Sequence, residues 1–176
     1  MISDHTRPED QWLWLIQARA WTCFQTGISN WDQLISHLEQ ERTKRDGANV
    51  DQLSISGHGA GPGTGVGTSF GNPDLSITDL DYEQALRLRA NLSRGAKLKF
   101  WACSCANRPE SRERLQWLAD TLDVEVEAAE GEVAAGADGL WGFSFGTSDP
   151  KWYTFRPGKP PIIGTGSGRS KWKKKK

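Results

Sequence analysis

The chain has 176 residues, enough for one domain that buries about two thirds of the surface exposed by the unfolded chain. Its 22 Lys and Arg residues balance 22 Asp and Glu residues, which argues against a general nucleic-acid or polyanion binder. No stretch reaches the roughly 18 apolar residues of a membrane-spanning helix, and residues 1–8 lack the apolar region of a secretory signal.

The chain has three cysteines, Cys23, Cys103 and Cys105, and an odd number cannot form an even disulfide framework. This count favours a reducing compartment and predicts a cytoplasmic location, because glutathione keeps cytosolic thiols reduced. Release as a secreted effector is the alternative.

The first half of the chain predicts a strand, a helix and a second strand. Residues 20–24 are β-prone, and the capping-box pattern Ser29-x-x-Asp32 begins a helix that ends in a basic turn. The apolar residues of this helix recur at helical spacing: Trp31, Leu34, Ile35 and Leu38. Residues 50–56 then alternate between apolar and polar, as a strand does.

The middle of the chain predicts a helix followed by a strand. Thr78-x-x-Asp81 begins a second helix that runs to about Leu92 and is ended by Gly95. Residues 97–103 form a short and increasingly apolar strand.

The next segment predicts a third helix that starts near Asn107, with Pro109 in its first turn. Residues 124–128 read as a fourth strand, and residues 141–146 and 151–155 are expected to pair as a terminal hairpin. We expect residues 1–156 to form one domain and residues 157–176, rich in Pro, Gly, Ser and Lys, to form a flexible basic tail.

Strands that alternate with helices predict an α/β fold with a mainly parallel sheet covered by helices on both faces. In such sheets, function collects beyond the carboxyl ends of the strands. Gly57-His58-Gly59 and Ala102-Cys103 both lie at such ends. We therefore expect His58 and Cys103 to meet at one edge of the sheet.

These two residues suit cysteine-based hydrolysis. A thiolate is a strong nucleophile, and the third helix would favour an anion at Cys103 through its N-terminus. His58 could supply a proton to a leaving group, and the N–H of Gly59 could bind a developing oxyanion. The simpler interpretation is that Cys103 is a small buried apolar residue and His58 a hydrogen-bonded turn residue.

The motifs Ser54-Ile55-Ser56-Gly57-His58-Gly59 and Leu98-Lys99-Phe100-Trp101-Ala102-Cys103 resemble those of the caspase-hemoglobinase (clan CD) peptidase superfamily. Its signature is one hydrophobic strand that ends in His-Gly and another that ends in Ala-Cys. The likeness covers residues 20–146 and is nearest to the bacterial branch, which includes autoprocessing peptidases of large toxins and a caspase-like domain of large adhesins.

The resemblance implies a caspase-like three-layer sandwich that acts as a cysteine endopeptidase on a protein or peptide substrate. His58 would be the catalytic histidine, Cys103 the nucleophile, and the backbone amides of Gly59 and Cys103 the oxyanion donors. Trp101 replaces the Gln that caspases carry before Ala-Cys, and Ser104-Cys105 replaces Arg-Gly, so caspase specificity for Asp does not follow. The alternative function is a catalytically inactive caspase-like module that binds a protein partner.

Other chemistries fit the sequence less well. Cys103, Cys105 and His58 lack the second Cys pair or the His-x₃-His spacing of a zinc site. The glycine-rich residues 59–71 lack the Gly-Lys-Ser/Thr of a phosphate-binding loop. We therefore expect no metal or other cofactor, and no nucleic-acid partner.

Overall fold

The protein folds as a β-sheet with helices packed against it. The computed structural model describes residues 2–4, 26–28, 30–56, 77–131, 134–137, 143–146 and 151–165. In these parts the helices are α1 (Trp31–Lys44), α2 (Tyr82–Ala90) and α3 (Pro109–Leu122), with a short 3₁₀ helix at Ile77–Asp79. The strands are β1 (Ile2–Asp4), β2 (Thr26–Ile28), β3 (Val50–Ser56), β4 (Leu92–Trp101), β5 (Glu125–Ala129), β6 (Ala134–Ala137), β7 (Phe143–Gly146), β8 (Lys151–Arg156) and β9 (Lys159–Thr165). Of the helices described, none combines the length and the apolar character that crossing a membrane requires.

Seven of the strands form one mixed sheet in the order β2-β1-β3-β4-β5-β8-β9. The neighbours from β2 to β5 pair in parallel, whereas β8 pairs antiparallel with both β5 and β9. Strands β6 and β7 form a separate antiparallel pair. The fold is therefore α/β with a partly parallel sheet, as the alternation of elements predicts.

The three described helices pack on one face of this sheet. The register aligns Ile55 with Phe100 and Phe100 with Ala128, and these side chains belong to one buried core together with the apolar stripes of α1, α2 and α3. The reason is topological, because each step from β2 to β3, β4 and β5 crosses the sheet in the same direction. Right-handed crossovers then place every connecting helix on the same side. The expected second helical layer is not found among the described residues.

The opposite face of the sheet carries charge. Lys97 lies beside Glu125 with a Nζ–O distance of 3.0 Å, and Lys99 lies beside Glu127 at 2.8 Å. The Lys99 ammonium also lies 4.7 Å from the centre of the Trp152 ring. Only 11% of the Lys99 side chain and 14% of the Glu127 side chain are exposed, so this ion pair is well shielded from water.

The helix boundaries differ from the predicted ones at their first residues. Asn30 caps α1 by accepting a hydrogen bond from the Gln33 N–H at 2.9 Å, so the predicted Ser29 cap is wrong. Asp81, rather than Thr78, caps α2 and forms a capping box with Gln84. Both helices thus begin one turn or less after their predicted starts.

Helix α2 ends at Ala90, so its predicted extension to Leu92 is also wrong. Strand β4 begins at Leu92, and Gly95 lies within it at a φ of +73°. Val50 pairs with Leu92 but Gln52 pairs with Lys97, so β4 bulges between these two points. A residue without Cβ suits the left-handed backbone of this bulge.

The carboxyl-terminal part corrects two predictions. The predicted hairpin between residues 141–146 and 151–155 is wrong, because β7 pairs with β6 while β8 joins the main sheet beside β5. Residues 159–165 form β9 and are not part of a tail. Pro160 and Pro161 suit β9 because it lies at the sheet edge and because its pairing with β8 is irregular between Arg156 and Thr154, so that missing N–H groups are tolerated there. Residues 166–176 and the predicted strand at 20–24 lie outside the described residues.

Candidate active site

The carboxyl ends of β3 and β4 lie side by side. Their pairing finishes at Ser56 and Trp101, which are register partners and the last residues of the two strands. Cys103 follows β4 by two residues, and His58 follows β3 by the same number. His58 and Gly59 lie outside the described residues, so the described part of the site is the Cys103 side.

Cys103 lies in a turn between two buried neighbours. Ala102 and Ser104 are each 1% exposed, whereas Cys103 itself is partly exposed. Ser104 adopts a φ of +58°, a left-handed conformation that costs a non-glycine residue about 1–2 kcal/mol. The chain therefore reverses sharply just after Cys103.

Three backbone hydrogen bonds hold this turn. The Ser104 N–H donates to the Gly131 carbonyl at 2.9 Å, and the Ala106 N–H donates to the Ala129 carbonyl at 2.9 Å. The Asn107 N–H closes the turn by donating to the Ser104 carbonyl at 3.1 Å. The carboxyl end of β5 thus supports the turn that carries Cys103 and offsets the strain at Ser104.

Cys105, only two residues further, has the opposite environment. It is 0% exposed, and burial, with a smaller contribution from Cys103, raises the pKa of its thiol. Both residues are thiols. A reagent in solution therefore reaches Cys103 but not Cys105.

Helix α3 begins at Pro109, with Arg108 as its N-cap residue, within two residues of the predicted start and with Pro109 in its first turn. The guanidinium of Arg112, in the first turn of α3, contacts the turn formed by residues 103–107 (the Cys103 turn). Its Nη1 donates to the carbonyls of Ala106 at 2.9 Å and Asn107 at 3.2 Å. This contact is not predictable from the sequence, because an arginine in the first turn of a helix has the same pattern as a solvent-exposed charge.

The end of β5 is tied to β8 at Glu130. The Glu130 N–H donates to the Lys151 carbonyl at 2.9 Å, and the Tyr153 hydroxyl donates to the Glu130 carboxylate at 3.1 Å. Arg112 lies 5.4 Å from the centre of the Tyr153 ring. The Cys103 turn, β5, β8 and α3 are thus connected at this edge of the sheet.

A cleft of about 320 Å³ lies at the opposite, amino end of the parallel strands. It is lined by Arg94, Gly95, Asp123, Val124, Glu125, Arg156, Pro157 and Lys159. Glu125 is paired with Arg156 at 3.2 Å, and Asp123 with Arg89 at 3.3 Å. None of these lining residues is a Cys, Ser or His, so the cleft offers no nucleophile for acyl transfer.

Among the described residues, no three His, Cys, Asp or Glu side chains come together as metal ligands. Cys103 and Cys105 alone would supply two sulfur ligands, and Cys105 is enclosed in the core. Within the described part of the chain, the Cys103 turn thus presents a single partly exposed thiol.

Comparison with known proteins gives one match. The model of a family described as a domain of unknown function, DUF4347, matches residues 19–156. No curated protein and no solved structure matches the chain. Since the matched span covers more than half of the 176 residues, the chain belongs to the DUF4347 family.

Proposed function

We propose that this protein is a caspase-like cysteine endopeptidase that cleaves peptide bonds with His58 and Cys103. The observation that supports this most is the pairing of Ser56 with Trp101 at the ends of β3 and β4. Adjacent parallel strands are about 4.8 Å apart, and each of the two residues follows its strand end by two positions. In the sequence, the Cys103 thiol and the His58 imidazole thus each follow by two residues one of two strand ends that lie side by side.

The proposed reaction uses two steps. Cys103, as a thiolate, attacks the carbonyl carbon of the scissile bond, and the backbone amides of Cys103 and Gly59 bind the oxyanion that forms. The C–N bond then breaks as His58 protonates the leaving amine, which leaves a thioester. Water attacks the thioester while His58 accepts its proton, the C–S bond breaks, and the thiolate returns.

The exposure of the two cysteines supports the choice of Cys103. A nucleophile has to meet its substrate, and Cys105 is 0% exposed while Cys103 is partly exposed. The sharp reversal at Ser104, with its φ of +58°, lets the chain present Cys103 at the edge while both neighbours stay buried. This arrangement favours catalysis over a purely structural role for Cys103.

The caspase-like sandwich is the proposed complete architecture. Five strands in parallel pairing and an antiparallel extension through β8 agree with it, and so does the placement of Cys103 beyond a carboxyl strand end. The proposed substrate is a protein or peptide. The two thiols at Cys103 and Cys105 suit a reducing compartment, so we propose a cytoplasmic location.

Cleavage of a peptide library by the full chain tests this function. The wild type is compared with Cys103→Ala and His58→Ala, and Cys105→Ala serves as the matched control. We expect cleavage by the wild type and by Cys105→Ala, and none by the other two variants. If the wild type cuts no peptide, or if Cys103→Ala cuts as well as the wild type, the peptidase proposal fails and the protein-binding alternative takes its place.

A further inference from the structure

The turn that carries Cys103 depends on contacts from outside its own strand. Its backbone donors at Ser104 and Ala106 are bound by carbonyls of β5 and of the segment that follows β5. The carbonyls of Ala106 and Asn107 face the other way, toward α3, and Arg112 binds both of them. The segment is therefore held from two sides.

The chemistry and the location of Arg112 suit it to hold the Cys103 turn against α3. One guanidinium nitrogen bridges two successive carbonyls at 2.9 and 3.2 Å, and hydrogen bonds from a charged donor are stronger than neutral ones. The guanidinium is half-buried and lies over the Tyr153 ring, 5.4 Å from its centre, which restricts where it can move. Tyr153 in turn donates to Glu130 at the end of β5.

We propose that Arg112 is a positioning residue for the active site: by binding the carbonyls of Ala106 and Asn107, it holds the Cys103 thiol and the Cys103 backbone amide in their reactive geometry. The catalytic part of this inference rests on the proposed peptidase function. Its structural part does not, because the turn is held whether or not a peptide is cut. Arg112 itself touches no reacting atom.

Arg114 provides a matched control on the same helix. Its Nε donates to the Ile77 carbonyl at 3.1 Å and its Nη2 to the Leu80 carbonyl, so it also ties α3 to backbone oxygens. It also lies over an aromatic ring, that of Trp117, at 3.7 Å. Its carbonyl partners, however, belong to the 3₁₀ helix and the residues before α2, and not to the Cys103 turn. An effect that comes from a weakened α3 alone would appear in both arginine variants.

The test compares Arg112→Met, Arg112→Lys and Arg114→Met with the wild type in the full chain. Amide hydrogen exchange is measured at Ser104 and Ala106, alkylation by iodoacetamide at Cys103 and Cys105, and kcat and KM with any peptide that the wild type cuts. In Arg112→Met we expect exchange at both amides and alkylation of Cys105 to rise about tenfold, since local opening follows the loss of a charged hydrogen bond. We expect kcat to fall about tenfold or more with KM within about twofold, because misplaced reacting groups slow the chemical step.

Arg112→Lys keeps the charge and one donor, so we expect it to restore part of kcat and of the exchange protection. Arg114→Met is expected to leave exchange at Ser104 and Ala106, and kcat, within about twofold of the wild type. Unchanged exchange in Arg112→Met, or equal changes in the two Met variants, would overturn the proposal. Faster exchange with an unchanged kcat would overturn its catalytic part. A wild type that cuts nothing overturns the peptidase function, and exchange and alkylation then decide the structural part of the Arg112 role.

Discussion

The two ends of the parallel strands differ in what they offer to a substrate. The carboxyl end presents a partly exposed thiol, Cys103, on a turn that hydrogen bonds hold to the β5 side and to α3. The amino end presents a cleft of about 320 Å³ lined by charged residues, of which Glu125 pairs with Lys97 and Arg156. The cleft lined by charged residues and the partly exposed thiol thus lie at opposite ends of the parallel strands.

The two ends also differ in how well their side chains suit acyl transfer. Acyl transfer needs a nucleophile and hydrogen-bond donors at the point where charge develops, and both can lie on an open strand edge. The cleft at the amino end has donors such as Arg94 and Lys159 but no Cys, Ser or His among its lining residues, and Asp123 and Glu125 are paired within the protein. Substitutions at the two ends should therefore have unequal effects on activity.

The largest expected effect is at the carboxyl end. Cys103→Ser replaces the proposed thiol nucleophile by a weaker hydroxyl nucleophile, so kcat/KM should fall by at least about a thousandfold. The free energy of unfolding should change by less than about 1 kcal/mol, because Cys103 is partly exposed. Peptide cleavage and urea denaturation measure the two quantities. A serine variant that retains a tenth of the activity would place the nucleophile elsewhere.

Cys105→Ser tests the neighbouring thiol. Its hydroxyl would be buried at a position that is 0% exposed, and an unsatisfied buried hydroxyl costs about 1–3 kcal/mol. Urea denaturation should show this loss while kcat/KM at moderate temperature stays within a few-fold of the wild type. Cys105→Ala, which buries no polar group, should lose less stability. A reversed order of the two variants would contradict the apolar environment assigned to Cys105.

Gly95→Ala probes the bulge at the amino end. Gly95 has a φ of +73° and open space around the site of a Cβ, so the cost is backbone strain of about 1–2 kcal/mol without a clash. Gly164→Ala in β9 is the control, because nothing lies within 4 Å of the point that its Cβ would occupy and its φ is not left-handed. Thermal unfolding should show a lower melting temperature for Gly95→Ala and an almost unchanged one for Gly164→Ala. Activity should be unchanged in both.

The smallest effect is expected from Glu125→Gln. Burial raises the pKa of the Glu125 carboxyl, but Lys97 and Arg156 outweigh burial and bring the pKa below its ordinary value of 4.5. Because this pKa is lowered in the folded state, the ionised Glu125 carboxylate contributes to the free energy of unfolding above about pH 4.5. That contribution decreases as the pH falls below 4.5. At neutral pH the free energy of unfolding of the variant should be about 0.5–1 kcal/mol lower than that of the wild type. The loss is small because water screens ion pairs whose cationic partners are exposed. The difference from the wild type should shrink as the pH falls below 4.5 and disappear once the pH has passed through the lowered pKa of Glu125, and a difference that grows on acidification would contradict the ion pairing.

The elements with strong periodic patterns were predictable from the sequence. The stripe of Leu34, Ile35 and Leu38 in α1 is buried as its spacing indicates, and Pro109 lies in the first turn of α3. The strands at 50–56 and 124–128 appear within one residue of their predicted bounds, as β3 and β5. These features depend on local spacing and on burial of one face, which a single sequence carries directly.

The features that depend on distant residues were not predictable. Local pattern shows that residues 151–155 form a strand, but it does not show that β8 pairs with β5 instead of with β7. The same limit applies to β9, whose two prolines suggest a tail until its position at the sheet edge is known. The contacts of Arg112 with the Cys103 turn likewise require the orientation of α3.

Alkylation by iodoacetamide, followed by peptide mapping, probes the proposed pair of His58 and Cys103 without any knowledge of the substrate. Cys103 and Cys105 are labelled between pH 6 and 9 in the wild type and in His58→Ala, with urea-unfolded protein as the reference. We expect Cys103 to react at least about tenfold faster than Cys105 in the folded protein, and His58→Ala to change both the rate at Cys103 and its dependence on pH. Equal labelling of the two thiols, or a rate at Cys103 that His58→Ala leaves unchanged at every pH, would contradict the proposed pair.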